Sequence, residues 1–309
     1  MKRLIVVAFL CSIGCKEVKK EISAQKAPHS YITPLGKEFS IPEPTGKLLE
    51  RYEKAKNDFE INPNDLDIII WYGRRTAYLG QYEKAIDIYT NGIKKFPRES
   101  RLYRHRGHRY ISIRNYDKAI QDLKKASELI AGKENEMEAD GMPNAQNIPV
   151  SSKHGNIWYH LGLAYYLAHD YEKAFDAYLK CRESGNNDDN IVSSTHWLYM
   201  IQRRLGNEAL AKEMLEPIRP ETHIIENQSY YELCKFYKGL IPLDSLINTE
   251  KGNPSSDAVL YGLANWYFYN NDKTKAYEMM QGMMDSKAWS SFGYLAAESD
   301  LIEYFQDKN

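Results

Sequence analysis

A period of 34 residues constrains this chain more than any other feature. Gly73 and Gly107, Tyr82 and Tyr116, Ala85 and Ala119, and Pro63 and Pro97 each stand 34 positions apart. The unit is clearest in RLYRHRGHRYISIRNYDKAIQDLKKASEL, Arg101 to Leu129. Its first half sets Leu102, Tyr103 and Tyr110 around one small residue, Gly107, and ends at the break Arg114-Asn115. Its second half places Tyr116, Ala119, Ile120, Leu123 and Ala126 on one stripe at helical spacing. Neither helix buries such a stripe alone, so each unit needs a copy beside it. A fixed period of this length marks a helix–turn–helix solenoid.

Three aligned units carry a resemblance to the tetratricopeptide (TPR) family. They hold Gly73, Tyr82, Ala85, Tyr89 and Pro97, then Gly107, Tyr110, Tyr116, Ala119, Leu123 and Ala126. The third holds Trp158, Leu161, Gly162, Tyr165, Tyr171, Ala174 and Tyr178. Small residues let paired helices approach, and aromatics fill the space beside them. The resemblance implies an all-α, TPR-type superhelix of about five repeats, and it implies no particular chemistry.

In chain order, residues 1–15 (MKRLIVVAFLCSIGC) read as a targeting segment: Lys2 and Arg3, an apolar run, then small residues before Cys15. The run is too short to remain as a membrane span. It resembles a bacterial lipoprotein signal, which implies cleavage after Gly14 and a lipid on Cys15. Ser12 stands where that motif usually has Leu, and an ordinary secretory signal is the alternative. Lys16 is not the aspartate associated with inner-membrane retention, which favours an outer-membrane destination, facing the periplasm or the cell surface. Residues 16–44, polar and broken by Pro28, Pro34, Pro42 and Pro44, read as a flexible tether.

Residues 45–130 read as the N-terminal helices. Leu48, Leu49, Tyr52, Ala55 and Phe59 open them as the second helix of a repeat whose first is missing. The period then slips, because Gly162 follows Gly107 by 55 places. The 21 extra residues fall in a long insertion, 131–155, between the second and third repeats. A loop of this length is functional or disordered. Its acidic first half reads as mobile, and Gly141–Val150, with two prolines, as packed down. Residues 156–309 read as C-terminal repeats, with a degenerate pair at Ser229–Lys238 and Pro242–Asn248. Phe292–Phe305 is expected to cap the end, since a solenoid's last apolar face needs cover.

A net charge of −1 argues against a nucleic-acid surface. Of four cysteines, Cys11 and Cys15 belong to the signal. Cys181 and Cys234 read as buried thiols, with a bridge between them left open. The chain has no HExxH, CxxC, GxSxG or glycine-rich phosphate loop. No enzyme and no cofactor are expected.

In TPR proteins the first helix of each repeat lines a concave wall. Phased on the small residues, that wall holds Arg74, then Arg101, Arg104, His105 and His108, then Asn156, Tyr159 and His160, then His196, Met200, Arg203 and Arg204. Arg101 to Arg109 contains no acid, so the groove is expected to be basic and histidine-lined. Arg101 and Arg104 are expected to face away from the packing stripe, with Asp140 or a glutamate of the insertion, or a ligand, among the cations. Arg106 takes a packing position and needs a carboxylate, with Asp117 and Asp122 as candidates. The histidines lack tight ligand spacing, and no metal is assigned. Ile70 and His105 stand where carboxylate-clamping TPR domains have Lys and Asn, so that activity is not carried over. The reading is a membrane-anchored module that holds an envelope protein or peptide in its groove. The alternative is a binding protein for an anionic small ligand, with 131–155 as a lid.

Overall fold

A computed structural model describes residues 30–246 and 254–306. The signal segment, Cys15 and the tether as far as residue 29 lie outside the described residues, as do 247 and 248 at the end of the expected degenerate pair. Among the described residues no helix is long and apolar enough to cross a membrane.

The chain is an all-α, TPR-type solenoid. A short hairpin, β1 (Ser30–Ile32) with β2 (Glu38–Ser40), precedes a solitary helix α1 (Gly46–Ile61). Four helix pairs follow: α2 (Leu66–Tyr78) with α3 (Tyr82–Lys95), α4 (Ser100–Ser112) with α5 (Tyr116–Leu129), α6 (Lys153–Leu167) with α7 (Tyr171–Glu183), and α8 (Asp188–Arg204) with α9 (Glu208–Met214). Then come α10 (Gln228–Tyr237), one 3-10 turn at Leu243–Leu246, a last pair α11 (Pro254–Tyr269) and α12 (Lys273–Met283), and α13 (Phe292–Phe305).

The small residues work as the period requires. A Cβ on Gly107 would lie 2.8 Å from Leu123 Cγ, and one on Gly162 would lie 2.7 Å from the Tyr178 ring, so each first helix sits directly on its partner. Each first helix also ends alike. The residue in the left-handed region is Gly80, Arg114, His169, Gly206 or Asn271. The amide after it reaches back five residues in four of these turns, for example Asn115 N to Tyr110 O at 2.8 Å and Asp170 N to Tyr165 O at 3.0 Å. Arg114 and His169 therefore occupy a backbone conformation that costs a non-glycine residue roughly 1–2 kcal/mol. Cys181 and Cys234 are free and buried.

Three expectations need correction. Residues 30–44 are not an open tether. Tyr31 stacks on Trp289 at 4.6 Å, Phe39 packs on Trp289 and Tyr294, and Lys37 Nζ donates to Met284 O at 2.6 Å. Tyr82 meets the same Trp289 edge-on at 5.5 Å. The hairpin thus joins the first repeat to the last, and aromatic burial outweighs the prolines. The insertion ends at Ser152, because that side chain accepts from Gly155 N and starts α6 at Lys153. Within it, Gly141 and Val150 are buried but Met142 and Ile148 are exposed, so the second half is anchored at its ends and not packed along its length. Finally, α13 covers α11 and α12 but also crosses to α6 on the concave side.

Candidate functional site

The wall formed by α2, α4, α6 and α8 is the place to look, and its cations are already answered from within the chain. Glu138 of the insertion is only 8 % exposed. It is held by an isolated bridge between Met137 and Ser152 and by its own amide, which donates to Ser151 O at 2.9 Å. Its carboxylate accepts from Asn156 Nδ2 at 2.6 Å and lies 3.4 Å from Arg104, 3.7 Å from Arg74 and 3.3 Å from His105 Nε2. Arg104 donates to His105 Nδ1 at 2.7 Å. A guanidinium only donates, so His105 carries its proton on Nε2, the nitrogen that faces Glu138. Arg104, expected to face outward, is 9 % exposed because the insertion lies over it, and burial lowers its pKa. The insertion is tied down further by Arg74 to Ala139 O at 2.9 Å, Arg75 to Gly141 O at 2.6 Å and Asn144 to Glu226 at 2.6 Å.

The same logic recurs further along with α13. Arg114 Nε donates to Glu298 at 2.7 Å and Nη2 to Trp289 O at 2.8 Å. Arg204 pairs with Asp300, and Tyr261 donates to that carboxylate at 2.9 Å. Ser299 donates to Leu167 O at 2.7 Å, so His169 Nε2, 3.0 Å away, must donate to the hydroxyl. That polarity is the reverse of a nucleophile and its base. The two turn residues that carry left-handed strain as large side chains, Arg114 and His169, both reach α13.

The residues singled out from sequence fall into four groups. Arg74, Arg104 and His105 meet at Glu138. His108, Tyr159 and His160 meet around Phe292, with the two imidazoles 4.1 Å apart. His196 stacks on Tyr230 at 4.4 Å, and burial pushes its pKa down to about 3. Burial likewise holds His105, His108 and His160 well below the ordinary histidine value, with Arg104 and Arg109 adding to it. Arg101 stands apart, 2.6 Å from Asp67 and 2.9 Å from Glu99, and Arg203 donates to Asn270 at 2.9 Å. Arg74, Arg101, Arg104 and Arg204 are thus already paired with carboxylates of the chain itself. Arg106 meets Asp122, not Asp117, through two bonds of 2.7 and 2.8 Å. Among the described residues no group of three or more His, Cys, Asp or Glu could hold a metal.

What remains open on the wall is a cavity of about 240 Å³ between the end of the insertion, α6, α8, the segment leading into α10, and Phe292. Sequence reasoning expected a glutamate of the insertion here without singling out Glu138, and it missed Arg114, Glu298 and Asp300 as wall residues. One signal was available: Arg114 and His169 fall at the turn position that Gly80 and Gly206 hold in other repeats.

No family model matches the chain, and no curated protein matches it. Among solved structures it is similar to MamA 41-end from Desulfovibrio magneticus RS-1, at 20% identity and TM-score 0.43 over 56% of this chain and 84% of that one. It is similar to YrrB, described as a TPR protein with an unusual peptide-binding site, at 16% identity and TM-score 0.44 over 81% and 98%. A third, a putative kinesin light chain from Podosopora anserina with TPR-like repeats, gives 14% identity and TM-score 0.42 over 72% and 94%. The TPR-type fold rests on this chain's own period, glycine crossings and turns.

Proposed function

We propose that this TPR-type solenoid is an exported, non-catalytic binding module, lipid-anchored to a bacterial membrane through Cys15. It holds an envelope protein or peptide through the outer face of its insertion, because its concave groove is largely filled by its own α13 and Glu138. One observation carries this reading. The insertion is pinned at Glu138, Ala139, Gly141 and Asn144 by the bonds described above, yet it exposes Met137, Met142 and Ile148. Apolar side chains on a prearranged surface lose little entropy on docking, and covering them with a partner removes apolar area from water. The short apolar run ending in Gly14-Cys15 supports the anchor.

Crosslinking from intact envelopes tests the docking face. Met142→Glu combined with Ile148→Glu should lose the partner captured by the wild type, while the thermal melt stays unchanged. Equal capture by the double variant would place the partner elsewhere. The anchor is tested separately: Cys15→Ser should leave the membrane pellet after a high-salt wash, and retention there would defeat the lipoprotein reading.

A further inference from the structure

The remaining cavity has a chemistry opposite to the one the wall's sequence suggests. No lysine or arginine lines it. Two carboxylates do, Asp189 and Glu226. Asp189 is held in place by the backbone amides of Ile225, Glu226 and Asn227 at 2.8–2.9 Å, and it thereby fixes the segment that carries Glu226. Glu226 sits exposed at the mouth, where one oxygen accepts from Asn144. Partial burial raises its pKa; the Asn144 hydrogen bond opposes the rise, and the negative charges of Asp140 and Asp189 add to it.

The second observation is independent of those acids. His160 lines the same cavity and is 4 % exposed. Its Nδ1 lies 2.6 Å from Asn156 O, and a carbonyl only accepts, so Nδ1 bears the proton. Nε2 is then a bare acceptor, buried and without a partner. A buried polar atom left unpaired is costly, and a ligand that donates a hydrogen bond removes that cost. Tyr159, Tyr230 and Phe292 add aromatic lining, whose ring faces attract cations.

We infer that this cavity binds a small organic ammonium, with the NH₃⁺ group among Glu226, His160 and the aromatic rings. Its volume of about 240 Å³ lies below the range of about 300–1,000 Å³ usual for drug-sized ligands, so a slender alkyl stem fits and a bulky one does not. The same group arrives either on a free alkylamine or on the four-carbon stem of a partner's lysine. The inference rests on the cavity and not on the insertion's outer face, so the failure of either proposal leaves the other standing.

The full chain is titrated near neutral pH with pentylamine, pentanol and pentanoate, and with a lysine-containing peptide and its acetyl-lysine counterpart. Pentylamine or the lysine peptide should bind and raise the melting temperature by mass action, and the other three should not. Binding of pentylamine alone identifies a free amine as the source. Binding of the lysine peptide alone, abolished by acetylation, identifies a partner's side chain. Glu226→Gln, at an exposed position that leaves the fold intact, should weaken the bound amine by about two- to fivefold, the worth of one exposed ion pair. Pentanoate or pentanol binding as well as pentylamine overturns the inference, and so does an absence of binding by both amine probes.

Discussion

In the N-terminal half of the concave wall, Arg74 and Arg104 meet a carboxylate that hangs from a loop; in the C-terminal half, Arg204 meets one built into a helix. Glu138 reaches three cationic or imidazole groups at 3.3–3.7 Å but makes one short bond, to Asn156 at 2.6 Å. Its side chain keeps 10 % exposure. Asp300 and Arg204 are 1 % and 2 % exposed, with Tyr261 donating to the carboxylate and Arg204 donating to Asn265 at 2.5 Å. A loop can bring charge near several partners, whereas a helix fixes one carboxylate well enough to align and dry it. The helix pair is therefore the keystone of the closed solenoid, and the loop is a latch.

The largest test of that difference is Asp300→Ala. It leaves Arg204 buried without its counter-charge, which typically costs about 3–5 kcal/mol. Denaturant unfolding of the variant should show a loss of that size, and a loss no greater than that of Glu138→Gln would remove the distinction. Glu138→Gln keeps a side chain of the same shape and an acceptor for Asn156. It should cost about 1.5–3 kcal/mol, the worth of a hydrogen bond to a charged group.

These long-range pairs also mark where the sequence stopped being legible. The 34-residue period fixes how each helix pair stacks on the next, so Gly107, Gly162 and the Arg106–Asp122 pair were readable, the last because its members lie within one repeat. Arg114 and Glu298 are 184 positions apart, and the hairpin's Lys37 and Asp285 are 248. A period carries no information about contacts that skip repeats. Two local signs did exist. Glu298 and Asp300 are carboxylates in a mostly apolar helix, where buried charge needs a cation, and Arg114 stands where the turns at Gly80 and Gly206 have glycine. The insertion's role was legible in kind: Asp140 or a glutamate of the insertion was expected among the cations, and Glu138 supplies it.

Acid separates the two halves less sharply. His105, His108 and His160 in the first and His196 in the second are all kept neutral by burial. Unfolded histidines take up protons near pH 6.5, while folded His196 does so only near 3. The unfolded chain therefore binds more protons between those values, and stability falls as pH drops through that window. The unfolding free energy should be flat just above about pH 6.5 and decline below it, by up to about 1.4 kcal/mol per pH unit for each such histidine. His196→Phe should flatten the decline, and an unchanged slope would show that His196 is solvated when folded.

Arg101 supplies the smallest and most discriminating effect. It belongs to the same basic helix face as Arg104 and has two carboxylates at 2.6 and 2.9 Å, closer than any partner of Arg74 or Arg104 on Glu138. By distance alone it should matter more. By burial it should matter less, because Arg101 is 27 % exposed and Asp67 70 %. Water already solvates both charges there, so the pair gains little over its separated partners and salt screens what it gains. Arg101→Ala should cost only about 0.2–1 kcal/mol, and raised salt should shrink even that. A loss above about 2 kcal/mol would exceed what exposed pairs give, and distance rather than burial would then grade the cations of this wall. The ranking of latch below keystone would fall with it, since that ranking also rests on how dry each carboxylate is.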